Sequence, residues 1–71
     1  MNMYRLADNI LDALSKNGMT QKELAKELHL HENTIYGWTR GQRTMSGYAL
    51  YRTSKILGVS VEKLMEGVED E

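Results

Sequence analysis

The chain lacks several things a protein of its size often relies on. Among its 71 residues there is no cysteine, no proline and only two histidines. Without cysteine there are no disulfide staples, and the two histidines leave little for a structural zinc site. No cofactor or metal is expected. Apolar runs are only a few residues long, which excludes a membrane-spanning helix and the core of a signal peptide. A cytoplasmic protein is expected, with no membrane partner and no small-molecule ligand. The length is too small for two ordinary domains. A domain of this size buries only about 60–65% of the surface its unfolded chain exposes, so it needs good packing or a partner. Hydrophobic residues make up 41% of the chain. With proline absent, this composition fits a single globular, all-α domain over residues 1–71.

Carboxylates are missing from one place. Between Glu32 and Glu62 there is none, while Arg40, Arg43, Arg52 and Lys55 fall in that interval. Residues 1–61 carry eight Lys/Arg against five Asp/Glu, a net of +3; residues 62–71 carry one Lys against five acids, a net of −4. The overall charge of −1 thus hides a basic centre and an acidic end. Such a centre suits an anionic partner better than the total suggests.

What is present is helical periodicity. Met3, Leu6, Ala7, Ile10, Leu11 and Leu14 follow the spacing of an amphipathic helix, placing helix 1 at about 3–16, with Gly18 after its end. Thr20 and Glu23 form a capping box for helix 2, about 21–28, with Leu24, Ala25 and Leu28 inward. His29-Leu30-His31 is then a tight turn. Histidine tolerates positive φ better than most residues, and Leu30 is expected to plug the corner between the helices. Helix 3 spans about 32–40, with Ile35 and Trp38 buried, and Asn33, Tyr36, Gly37 and Arg40 opposite. Gly41 closes it. Ser46 caps helix 4, which runs to about 57 before Gly58. Ser60 caps helix 5, whose stripe is Val61, Leu64, Met65 and Val68. Residues 67–71 are expected to form a frayed acidic tail.

Two helices joined by three residues, with an apolar residue in the turn, have helix-turn-helix spacing. From Met19 to Leu64 the sequence resembles the DNA-binding domain of phage repressors and Cro proteins (the XRE type). The matching pieces are T-Q-x-E-L-A in helix 2, T-I-x-x-W in helix 3, R-G-x-R after it, and L-G-V-S-x-x-x-L between helices 4 and 5. The resemblance implies a compact five-helix, lambda-repressor-like fold, with helix 3 reading the major groove of double-stranded DNA. It also implies base contacts from Glu32, Asn33, Tyr36 and Gly37, and phosphate contacts from Thr20, Gln21, Arg40, Gln42 and Arg43. Four positions depart from the family pattern. His29 stands for a glycine, His31 for a small hydroxyl cap, Thr39 for a glutamate and Met45 for a proline. Without the proline, the 42–45 loop is expected to be freer.

The chemistry of these residues agrees with such roles. Asn33 can bond adenine N6 and N7 bidentately, Glu32 can accept from cytosine N4, and Tyr36 can touch a thymine methyl or a phosphate. Gly37, taken to project away from the core, would let the helix approach the groove floor. The plainer alternatives are a solvated asparagine, a glutamate that favours the helix N-terminus by its charge and a tolerated helix defect. Arg52 and Lys55 read as solvated charges. His29 and His31 lie on different faces, unsuited to a shared metal. Asp8 and Asp12 share a face, but no nucleophile or third group accompanies them, so no enzyme is expected. Helix 5 leaves Met65 and Val68 for a homodimer interface, which a two-half-site operator would use. The expected function is a small phage-type or mobile-element repressor. The alternative is a protein-interaction module, an antitoxin or anti-repressor using the same fold.

Overall fold

The computed structural model describes residues 2–68. Its helices are α1 (Met3–Asn17), α2 (Gln21–Leu28), α3 (Glu32–Thr39), α4 (Gly47–Leu57) and α5 (Val61–Leu64). There is no strand among the described residues. None of the helices is long and apolar enough to cross a membrane.

Local chemistry sets the helix ends. Asn2 Oδ1 accepts from Arg5 N–H at 3.1 Å, starting α1. Thr20 and Glu23 complete the expected capping box, each side chain accepting the other's backbone N–H. His29 closes α2 at φ 58°, the left-handed conformation that lets a three-residue turn redirect the chain. His31 then caps α3 with its imidazole: Nδ1 accepts from Asn33 N–H at 3.0 Å, replacing the usual hydroxyl. Ser46 and Ser60 cap α4 and α5.

The inward stripes of all five helices meet in one core. Leu6, Ile10, Leu24, Ile35, Trp38, Leu57 and Leu64 are all buried. Met45, where the resemblance leads one to expect a proline, is also buried. It anchors the end of the 42–45 loop in the core, just before α4. Leu30 does not plug the corner as expected. It is 40% exposed and lines an open groove with Leu28 and Trp38.

The C-terminal end differs most from the expectation. Helix α5 stops at Leu64, and the chain turns so that Val68 N–H reaches Met65 O at 2.9 Å and Val68 O accepts from Asn2 N–H at 2.7 Å. Val68 is fully buried in the chain's own core and cannot serve as a dimer contact. Met65 is half-buried against the same core. Gly67 and Val68 are therefore not part of a loose tail, and the rest of that expected tail, 69–71, lies outside the described residues.

Candidate nucleic-acid interface

Helices α2 and α3 cross through the tight turn at His29–His31, so the outer side of α3 faces solvent. Asn33, Tyr36, Gly37 and Arg40 from that side, with Gln42 and Arg43 from the following loop, line one shallow recess of about 340 Å³. His31 and Thr34 complete its rim. The remaining expected contacts, Thr20, Gln21 and Glu32, line a neighbouring hollow that shares Tyr36. The structure thus groups the expected residues into two adjoining sets with Tyr36 between them.

The polar groups hold one another in place. Tyr36 Oη donates to Glu32 Oε2 at 2.6 Å, one turn back, and Arg40 lies 5.2 Å from the centre of the Tyr36 ring. The hydrogen bond to Glu32, followed by burial and the Glu32 charge, holds the Tyr36 hydroxyl above the ordinary tyrosine range, with Arg40 opposing. One Glu32 oxygen is therefore engaged, leaving the other as the acceptor that a cytosine amine could use. Asn33 is exposed at the first turn, where its amide stands clear of the core.

Gly37 differs from the sequence expectation. It is buried, and a Cβ placed on it would lie 2.6 Å from Arg43 Cδ and 2.9 Å from Cγ. The α3–α4 loop folds back over the helix end, with Gly37 O accepting from Gln42 N–H at 2.9 Å and Arg43 N–H at 3.1 Å. The missing side chain therefore serves internal packing: it makes room for the aliphatic part of Arg43 and brings that arginine to the recess.

Gln21 is oriented by Thr39, which the family pattern marks only as a departure. Thr39 Oγ1 donates to Gln21 Oε1 at 2.9 Å, with Tyr36 O a second acceptor at 3.3 Å. With its oxygen held, Gln21 keeps its NH2 as a donor, the kind of group a phosphate requires. Thr39 thereby links α2 to α3 without a carboxylate. Its place on the flank of the buried face was the available signal. Thr20 has its oxygen occupied by Glu23 N–H, leaving its hydroxyl proton to donate.

The two short helices α2 and α3, joined by a tight turn, have the helix-turn-helix arrangement, and a family model described as helix-turn-helix matches residues 10–64. The chain belongs to this helix-turn-helix family. The match runs from the middle of α1 to the end of α5 and covers α2, the turn and α3. The family is one of DNA-binding regulators and is not an enzymatic family, so the helix-turn-helix chain is a DNA-binding regulator of transcription. Comparison with curated proteins and with solved structures gives no match.

Proposed function

We propose that this helix-turn-helix chain is a sequence-specific repressor of the small phage or mobile-element kind. It acts in the cytoplasm, occupying operator DNA with two half-sites as a homodimer and excluding polymerase. Helix α3 enters the major groove, Asn33 reads adenine, and Tyr36 and Glu32 approach neighbouring base edges. Gln21, Arg40, Gln42 and Arg43 fix the register on phosphates, with Thr20 at the edge of that surface.

The observation that carries this reading is the convergence of Asn33, Tyr36, Gly37, Arg40, Gln42 and Arg43 on one open recess. Two arginines border it, and the missing side chain at Gly37 makes room for one of them, Arg43. A single module buries too little surface for tight specific binding at physiological salt, which favours two copies on one site.

Selection of fragments from random duplex DNA by the purified protein tests the reading. The expected result is a consensus of two inverted half-sites with centres about 10 base pairs, or about 34 Å, apart. Affinity for the selected duplex should fall steeply with salt. No enrichment, or binding indifferent to salt, would overturn it and favour the protein-interaction alternative.

A further inference from the structure

An open groove of about 320 Å³ runs between the start of α4 and the α2–α3 turn. Leu28, Leu30, Trp38 and Ala49 give it apolar walls. Arg43 reaches it from the α3–α4 loop and Arg52 from α4. No carboxylate lines it among the described residues. The ion pairs among those residues, Asp12 with Lys16 and Lys63 with Glu66, involve neither arginine. Arg52 is held by neutral groups instead, donating to Tyr48 Oη at 3.2 Å and to the Glu27 carbonyl at 3.4 Å. Its charge is therefore positioned without being neutralised.

We propose that this groove binds a small organic acid, a carboxylate carried on a single ring or a branched apolar body, and that the bound acid weakens the hold on DNA. The site itself stands on the groove alone. Its effect on DNA rests on the reading of Arg43 as a phosphate contact given above. Sequence alone gives no reason to expect such a ligand, because the groove exists only once α2, the turn, the α3–α4 loop and α4 are assembled.

Each part of the groove selects one part of the ligand. The apolar walls take the ring, since burying it removes apolar surface from water on both sides. A guanidinium fork matches a carboxylate bidentately. Ligand sites span roughly 300–1,000 Å³, and a groove at the lower end suits a single ring with a short acid chain. Inorganic phosphate would leave the apolar walls uncovered. A neutral apolar compound would leave two cations unanswered beside it. A duplex backbone brings charge without a ring to fill the floor.

Arg43 supplies the link to DNA. With Thr34, it lines both this groove and the α3 recess. Its stem lies across Gly37, so its head can serve either side. The same donors cannot bond a ligand carboxylate and a DNA phosphate at once. By linkage, acid and DNA then weaken each other by the same factor.

Phenylacetate serves as the probe, added to the full chain without DNA and followed by amide and indole NMR shifts. Saturable shifts are expected at Leu30, Trp38, Ala49 and Arg52. Acetate, which lacks the ring, and phenylacetamide, which lacks the charge, should leave them unmoved at the same concentration. Arg52→Gln and Ala49→Leu, the second filling the floor, should lose the shifts. Each should keep its thermal midpoint and, without acid, bind the duplex selected from random DNA as wild type does. No saturable shift, or equal shifts with phenylacetamide, overturns the site. Weaker duplex binding by Arg52→Gln without acid also overturns it, because the face would then belong to DNA. In a second arm, saturating phenylacetate, compared with acetate at equal ionic strength, should weaken binding of the selected duplex at least about fivefold. The slope of log affinity against log salt should fall by about 0.9 as Arg43 leaves the phosphates. Saturable shifts with unchanged duplex affinity overturn the coupling to DNA. A chain that selects no duplex fails the DNA reading instead, and the DNA-free shifts still decide the site.

Discussion

Gly37 is a residue whose role depends on a neighbour six positions away. Periodicity puts it opposite Ile35 and Trp38, and on that basis its missing side chain would serve only an outside partner. The structure shows that Arg43 lies across it. This was not legible in the sequence, because a helical wheel carries no information about a loop folding back. The same limit applies to His31 and Thr39. Each breaks a family preference, yet each satisfies the same need with different chemistry, an imidazole nitrogen for a hydroxyl and a hydroxyl for a carboxylate. The consequence for Gly37→Ala is specific. Alanine gains up to about 1 kcal/mol of helix propensity. Its Cβ must displace Arg43, whose own Cβ would stand only 3.3 Å away and can yield little. The thermal midpoint should therefore fall, in place of the rise of roughly 4–8 °C that 1 kcal/mol of propensity alone would give in a small domain. Affinity for operator DNA should fall, with a shallower salt dependence as Arg43 leaves the phosphates. A full gain in stability with unchanged DNA affinity would show that Gly37 does not position Arg43.

At the scale of elements, periodicity and caps located α1 to α4 closely, since serine, threonine and glycine at helix ends act within three or four residues. Asn2 Oδ1 on Arg5 N–H and Ser46 Oγ on Ala49 N–H are such local bonds. The end of α5 was less legible. The stripe Val61, Leu64, Met65, Val68 has helical spacing, but the last turn is held by long-range bonds that periodicity does not register. Asn9 Nδ2 donates to Leu64 O at 2.7 Å and to Glu66 O at 3.0 Å, capturing carbonyls as the helix ends. Asn17 does the same for α4, reaching Leu57 O at 2.8 Å. These asparagines on α1 act as clamps for elements some forty or more residues later. Asn9→Ala should cost about 1–2 kcal/mol in a denaturant titration. Its distinguishing effect should be local: hydrogen exchange at Met65 and Val68, whose N–H groups bond within this turn, should accelerate more than exchange in α2 and α3. Uniform acceleration across all helices would show that Asn9 supports the core generally and not this turn.

For the whole molecule, the net charge of −1 conceals a division that the fold turns into geography. Arg40 and Arg43 from the acid-free interval border the α3 recess, whereas Lys63 and Glu66 pair with each other at 3.5 Å on exposed positions near the C-terminal end. The sequence made the sign of each region legible, but not that the basic side chains share a rim with Asn33. The division predicts how cationic residues in different places contribute to binding. Removing one phosphate-neutralising charge should reduce the slope of log affinity against log salt by about 0.9. Arg40→Ala and Arg43→Ala should each flatten the slope by about that amount and weaken all duplex sequences about equally, because phosphates carry no base information. Lys63→Ala, the internal control at the acidic end, should leave the slope unchanged. Parallel titrations of the selected duplex and a scrambled one, at several salt concentrations, read slope and sequence preference together. If Arg43→Ala keeps the wild-type slope but loses the preference for the selected duplex, Arg43 reads bases, and the division of the recess into a reading helix and a phosphate-following loop is wrong.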